Sequence, residues 1–273
     1  MNDELAQKHG HLVASLRALD TCVVAFSGGV DSALLARVAY EVLQDNMRAV
    51  TLSIQGMTAD EGSQAQAWCH EVGIPHDTIA FNELSIPGFV QNPPDRCYLC
   101  KRELFRTLLS FANAHGFAHV VEGSNVDDMG DYRPGIKALG ELGICSPLRD
   151  AGLSKADIRA LARELGIPVW NRPSSACLSS RIPYGELITP AKLRRIEAGE
   201  RYLHEQGLSQ VRVRAYGDEG DLARIEVMAE DIARFLEPSL RTKVDAHLKT
   251  LGFRYVCLDL SGFRSGSMNE VLK

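Results

Sequence analysis

TCVVAFSGGVDS, residues 21–32, joins a short apolar run to a glycine pair and then to an acid and a serine. TCVVAF (21–26) reads as a buried strand, and the stretch from Asp31 to about Leu43 reads as a helix. Gly28 and Gly29 let the backbone turn sharply and approach a phosphate closely. Amide groups at the helix start, with the helix dipole, favour an anion there. Ser27 and Ser32 add hydroxyl donors, and Asp31 is placed to hold Mg2+ on the phosphates. A plain turn capped by Asp or Ser would use the same residue types. The whole hexapeptide in strand–turn–helix context favours the phosphate.

The pattern repeats outward from this loop. AVTLSI (49–54) precedes a helical stretch from about Ala59 to Val72, and AHVVEG (118–123) follows the helical segment Lys101–His115. Val/Ile/Leu-rich runs separated by amphipathic helices predict an α/β fold with a doubly wound, mainly parallel sheet. Ligands in such sheets bind beyond the carboxyl ends of the strands. Those ends fall at Ser27–Gly29, at Ser53–Gln55 and at Gly123–Asn125. After Thr189 the pattern changes. Pro190 opens a charged helix to about Glu205, followed by VRVRAY (211–216), ARIEVM (223–228), a helical stretch 229–250 and FRYVCLDL (253–260). The expected organisation is a nucleotide-binding domain, 1–189, and a small α+β domain, 190–273. VRVR alternates strictly, so Arg212 and Arg214 share one strand face, opposite the valines.

With 273 residues, 45% of them hydrophobic, the chain has room for two domains. No apolar run of about 18 residues is present, so no membrane span is expected. The opening MNDELAQKHGHL is polar and acidic, unlike a signal peptide, and predicts a cytoplasmic protein. Net charge is −5. Residues 190–273 hold 14 Lys+Arg against 13 Asp+Glu, close to neutral, which argues against a nucleic-acid partner.

Seven cysteines are an odd count and too few for a disulfide scaffold. Cys22 and Cys257 fall in strand-like runs and Cys69 on a helix, which reads as small buried hydrophobes; Cys145 reads as structural. Cys97-Tyr-Leu-Cys100 follows a proline-rich loop and immediately precedes a helix, and Cys177 lies in the Ser/Pro/Gly-rich SSACLSSRIPYG. Three loop thiolates suit a [4Fe–4S] cluster with one iron left open for a substrate sulfide. A persulfide-shuttling pair, or no shared site, is the competing reading.

SGGVDS resembles the signature of the PP-loop ATP pyrophosphatases. That resemblance implies ATP cleavage to AMP and pyrophosphate, adenine recognition near Ser53 and further contacts at Gly123. No GxxxxGK[ST] motif occurs, so adenylation is favoured over γ-phosphate hydrolysis. DYRPG (131–135), SSRIPYG (179–185), VRVR (211–214) and LGFRYVCLDLSGFRSGSMN (251–269) in turn resemble the LarE family. Its members adenylate the carboxylates of pyridinium biscarboxylic acid mononucleotide and convert them to thiocarboxylates for a nickel-pincer cofactor. The resemblance implies a small-molecule nucleotide substrate and a homo-oligomer, a hexamer. It also implies that Arg212 and Arg214 meet the substrate phosphate and that Glu200 and Glu226 occupy metal-associated positions, with Arg234 in place of the third carboxylate. Arg181, near Cys177, is a further candidate for the anionic substrate, and Lys101 and Arg133 are additional candidate cations. Some members sacrifice a cysteine of their own five positions before the Arg of SSR, where Ala176 stands here; the thiol comes one residue later, at Cys177. That pattern resembles cluster-binding members. The rivals are a tRNA thiolase, an ammonia-dependent amidating ligase and a non-catalytic nucleotide-binding iron–sulfur sensor.

Overall fold

The computed structural model describes residues 2–130, 134–172 and 176–272. The chain condenses into two units, one formed by 1–82 and 97–175, the other by 83–96 and 176–273.

The first unit opens with α1 (Asp3–Arg17), capped by the Asn2 side chain, which accepts from the Leu5 amide at 2.8 Å. Next come β1 (Cys22–Ala25), α2 (Val30–Leu43), β2 (Met47–Ser53), α3 (Ala59–Val72), β3 (His76–Ala80), α4 (Arg96–Ala114) and β4 (His119–Val121). Three further helices follow: α5 (Pro134–Glu141), α6 (Pro147–Asp150) and α7 (Lys155–Glu164). All four strands are parallel, in the order β3-β2-β1-β4. β1 alternates its side chains between two cores. Cys22 and Val24 pack with α1, α2, α3 and α7, while Val23 packs with Phe105 and Leu108 of α4 and Leu139 of α5. The sheet is therefore covered on both faces, as its apolar runs predict. The chain winds from β1 outward to β3 and then crosses back to place β4 on the other side of β1. That reversal opens the crevice between β1 and β4 where doubly wound sheets hold ligands.

The second unit contains α8 (Pro190–Glu205), β5 (Val211–Tyr216), β6 (Leu222–Val227), α9 (Pro238–Thr250) and β7 (Tyr255–Leu258). Thr189 caps α8, accepting from the Lys192 amide at 3.2 Å, and Pro190 takes the first helical position. β5 and β6 are antiparallel and β7 joins β6 in parallel. Gly199 lets α8 lie close to the sheet, since a Cβ there would stand 2.9 Å from Leu248 and 3.4 Å from Val213. Segments 83–96 and 176–189, assigned from sequence to the larger domain, group with this unit. The buried Asn92 explains the attachment. Its amide donates to the carbonyls of Ile182 and Pro183 at 3.0 and 2.6 Å, and its own carbonyl accepts from Gly185 at 2.9 Å.

Three local expectations change. α4 begins at Arg96 rather than Lys101, so Cys97 and Cys100 lie in its opening turns and not in the preceding loop. Pro93 and Pro94 cannot continue a helix interior, but nothing after Asp95 delays one, and the Arg96 amide already bonds the Pro93 carbonyl at 3.0 Å. The helical stretch 229–250 is a 3-10 segment, Ala229–Leu236, followed by α9, because Pro238 has no amide to carry a helix through. Cys257 is exposed on the edge strand β7, not buried. Among the described residues, no helix is long and apolar enough to cross a membrane.

Candidate active site

Residues 27–32 form a loop fastened to itself. Gly28 takes a positive φ of 75°, a conformation that costs glycine least. The Ser32 hydroxyl donates to the Gly29 carbonyl at 3.0 Å, and with its proton committed it accepts from the Ser27 amide at 3.3 Å and the Ser27 hydroxyl at 3.2 Å. α2 then starts from Gly29 with no side-chain cap. Among the described residues no side chain caps its first turn, and the oxygens of a phosphate are acceptors that suit such amides. Gly123, beyond β4, lies against the same turn: a Cβ there would stand 3.1 Å from the Ser32 nitrogen and 3.2 Å from the Asp31 Cβ. Ser53 is exposed at the carboxyl end of β2, in the position expected for adenine contact.

Asp31 is the hub of this crevice. Asn125 donates to its Oδ1 at 3.2 Å, and the Lys155 ammonium forms an ion pair with its Oδ2. Lys155 opens α7, and its amide donates to Asp127 at 2.8 Å, which ties the start of α7 to the loop after β4. Asn125 is held in turn by Asp127 and Asp128, at 3.0 Å each. The carboxylate of Glu122, buried at the end of β4, accepts from the Ser124 amide and hydroxyl and from Ser146 at 3.1, 2.8 and 2.6 Å. Lys155 escaped the sequence reading; its one signal was a lysine at a helix start, right after the Ser154 cap. An oxygen donor such as Asp31 suits Mg2+, and a cation already sits on that carboxylate as the lysine ammonium.

In the second unit the arginines do not face solvent. Arg212 and Arg214 are 8% and 5% exposed. Arg214 is clasped by Glu226 through two contacts of 3.0 and 2.7 Å and also donates to the Ser180 carbonyl. Arg181 is clasped likewise by Glu200, at 2.9 and 3.0 Å, and donates to the Ala176 carbonyl at 2.7 Å. The two glutamates expected at metal-associated positions therefore each neutralise an arginine, and Arg234 sits elsewhere, donating to the carbonyls of Gln206 and Gly207. Arg212 stacks over the Phe263 ring at 5.2 Å. Burial first, then the charges of Arg181 and Arg214 against the opposing pull of Glu200 and Glu226, pushes the Arg212 guanidinium down to about 10, so it stays charged at neutral pH. The Ser179 hydroxyl, in the same segment, is buried with no protein partner among the described residues.

The cysteines span the whole range of burial, with Cys145 and Cys100 both intermediate. Cys22 and Cys69 are sealed in the core, and burial pushes both thiols up to about 12. Cys97 and Cys177 are exposed and Cys100 is half-buried. Cys97 and Cys100 belong to the first unit and Cys177 to the second. Among the described residues no group of three or more His, Cys, Asp or Glu is assembled as a metal site. Lys101 runs along Gly135, whose Cβ would stand 2.6 Å from its Cδ; Arg133 lies outside the described residues.

A mostly parallel sheet with a phosphate loop at the β1–β4 crevice defines a nucleotide-binding α/β protein, and residues 6–183 match the family model described as NAD synthase. A pyridinium-3,5-bisthiocarboxylic acid mononucleotide synthase from Lactiplantibacillus plantarum is 41% identical over 98% of this chain and 96% of its own. An uncharacterized protein from Synechocystis is 44% identical over 93% and 94%. A tRNA-specific 2-thiouridylase from Azorhizobium caulinodans is 30% identical over 65% of this chain and 55% of its own. The chain belongs to the LarE family of ATP-dependent sulfur transferases, within the PP-loop ATP pyrophosphatases that the NAD synthase model represents.

Proposed function

We propose that this enzyme adenylates the carboxylates of pyridinium-3,5-biscarboxylic acid mononucleotide and replaces one oxygen of each by sulfur. The observation that carries this reading is the end-to-end match to the named synthase. At 98% of the chain it takes in the unit that bears Arg212 and Arg214, whereas the thiouridylase match spans 65%.

ATP lies with its phosphates on the uncapped start of α2, against Gly28, Gly29 and Gly123, with adenine near Ser53. Asp31 would hold Mg2+, which when bound supplies charge neutralisation on the phosphates. Lys155, paired with Asp31 at the same crevice, is a cation placed to serve the pyrophosphate oxygens. A substrate carboxylate oxygen attacks the α-phosphorus, the bond to the β-phosphate oxygen breaks, and pyrophosphate leaves with the electron pair. The loop amides stabilise the negative charge that develops there. Sulfide sulfur then attacks the acyl carbon, the carbon–oxygen bond breaks, and AMP departs. Arg212 serves the substrate phosphate, and the Ser179 hydroxyl offers a further donor. The smaller unit, 190–273 by sequence, carries substrate binding and assembly of the homo-oligomer.

For the sulfur route, Cys97, Cys100 and Cys177 would hold a [4Fe–4S] cluster, which when bound supplies a carrier for sulfide.

The test is substrate-dependent formation of AMP and pyrophosphate, abolished in Asp31→Ala; ADP and phosphate instead would remove the protein from this mechanism. Anaerobically purified protein with about four irons per chain, lost in each of the three Cys→Ala variants, supports the cluster. A colourless protein that loses about 34 Da at Cys177 after one turnover, the mass of one hydrogen sulfide molecule, supports the sacrificial route instead.

A further inference from the structure

The phosphate loop is anchored from beneath by a side-chain relay that no part of the chemistry above uses. The ladder between β1 and β2 ends as the Phe26 amide donates to Val50 at 2.9 Å. Phe26 is the residue immediately before Ser27, and its carbonyl is taken by a side chain: the buried Thr51 hydroxyl donates to it at 2.8 Å. A threonine hydroxyl has one proton, so Thr51 Oγ1 can only accept from the third member, His76 Nε2, at 2.8 Å. His76 therefore carries its proton on Nε2. The Phe26 ring stands edge-on to His76 and tilted to Trp68, with centroids 5.8 Å away in both cases. Ring packing fixes the Phe26 side chain, and the hydroxyl fixes its peptide plane.

We infer that His76 is a positioning residue for ATP binding, acting through Thr51 on the Phe26 carbonyl to set where the phosphate loop leaves β1. Without the imidazole donor, the Thr51 hydroxyl turns to other partners. The Phe26–Ser27 peptide then gains freedom, and the amides of the loop meet the phosphates from a broader set of orientations. Binding then pays an ordering cost that the relay otherwise removes.

This inference rests on ATP binding at the loop, and on neither the acid substrate nor the sulfur route. The experiment is calorimetric titration of the full chain with a non-hydrolysable ATP analogue and Mg2+, each variant first checked by its thermal melt. His76→Phe and Thr51→Val are each expected to bind about tenfold more weakly, as fits the loss of one buried hydrogen bond. His76→Gln, whose amide reaches the Nε2 position, and Thr51→Ser, which keeps the hydroxyl, are expected to recover most of that loss. The double variant should bind no worse than the weaker single one, because both break one relay. Wild-type affinity in folded His76→Phe, additive losses, or a glutamine as weak as phenylalanine would each overturn the inference. Should His76→Phe fail to fold, the Thr51 pair decides, and wild-type affinity in Thr51→Val overturns it. A wild-type chain that bound no analogue would overturn the ATP reading itself, a result distinct from any difference among variants.

Discussion

At the scale of single residues, the crevice depends on atoms that are missing as much as on those present. Gly123 has no φ requirement; it is glycine because the Asp31–Ser32 turn lies where a Cβ would go. Gly123→Ala should push that turn outward by a few tenths of an ångström. ATP affinity is expected to fall about tenfold, with a melting temperature lowered by only a few degrees. Lys155 makes the opposite point, a charge placed where a ligand charge will come. Lys155→Met should leave the fold intact, since the ammonium is part-exposed. Pyrophosphate release per turnover should slow about a hundredfold, the scale set by removing one electrostatic contact from a developing anion; stopped-flow pyrophosphate detection would check it. Burial pushes His76 below the usual histidine range. The folded chain thus binds fewer protons there than the unfolded chain. Its contribution to stability is fully present above about pH 6.5 and declines as pH falls below that. Denaturant midpoints of wild type and His76→Gln measured from pH 7 to pH 5 should converge or cross accordingly.

At the scale of elements, capping residues decide boundaries that apolar periodicity leaves open. Thr189 and Pro190 mark the start of α8 both in the sequence and in the fold. Thr189→Ala should cost about 1 kcal/mol, read as a shift in urea midpoint without a change in slope. β5 shows where strand reasoning stops. Strict alternation in VRVR implies one wet face and one dry one. Yet both faces are buried, because α8 covers the valines while Glu226, Ser180 and Ser267 meet Arg214 on the other side. Those partners lie 12 to 53 residues away in the chain. β3 went unrecognised for a related reason: HDTIA is short and half polar, and only pairing with β2 makes it a strand.

At the scale of the molecule, the buried arginine–glutamate pairs are the polar centre of the second unit. The Glu226 side chain is fully buried between Arg214 and Arg224, at 2.7 and 2.8 Å. Glu226→Ala leaves the buried Arg214 without its carboxylate, while Arg224 keeps Asp259 at 3.5 Å, and should destabilise the unit by about 3–5 kcal/mol in chemical denaturation. Replacing Arg214 by Met and Glu226 by Leu together should recover most of that stability while leaving substrate binding impaired.

What the sequence determined by itself was local. A glycine pair, two serines and an aspartate between a strand and a helix define a phosphate loop, because five neighbouring residues supply the turn, the donors and the helix start. The α/β class followed from apolar runs whose period is also local. Tertiary structure alone decided that Lys155, 124 residues from Asp31, closes the crevice, that Asn92 fastens 83–96 to the second unit, and that Arg181 and Arg214 are committed to Glu200 and Glu226. The physical reason is the same each time. An ion pair or a side-chain hydrogen bond has no period along the chain, and its partner is chosen by which elements the buried cores bring together.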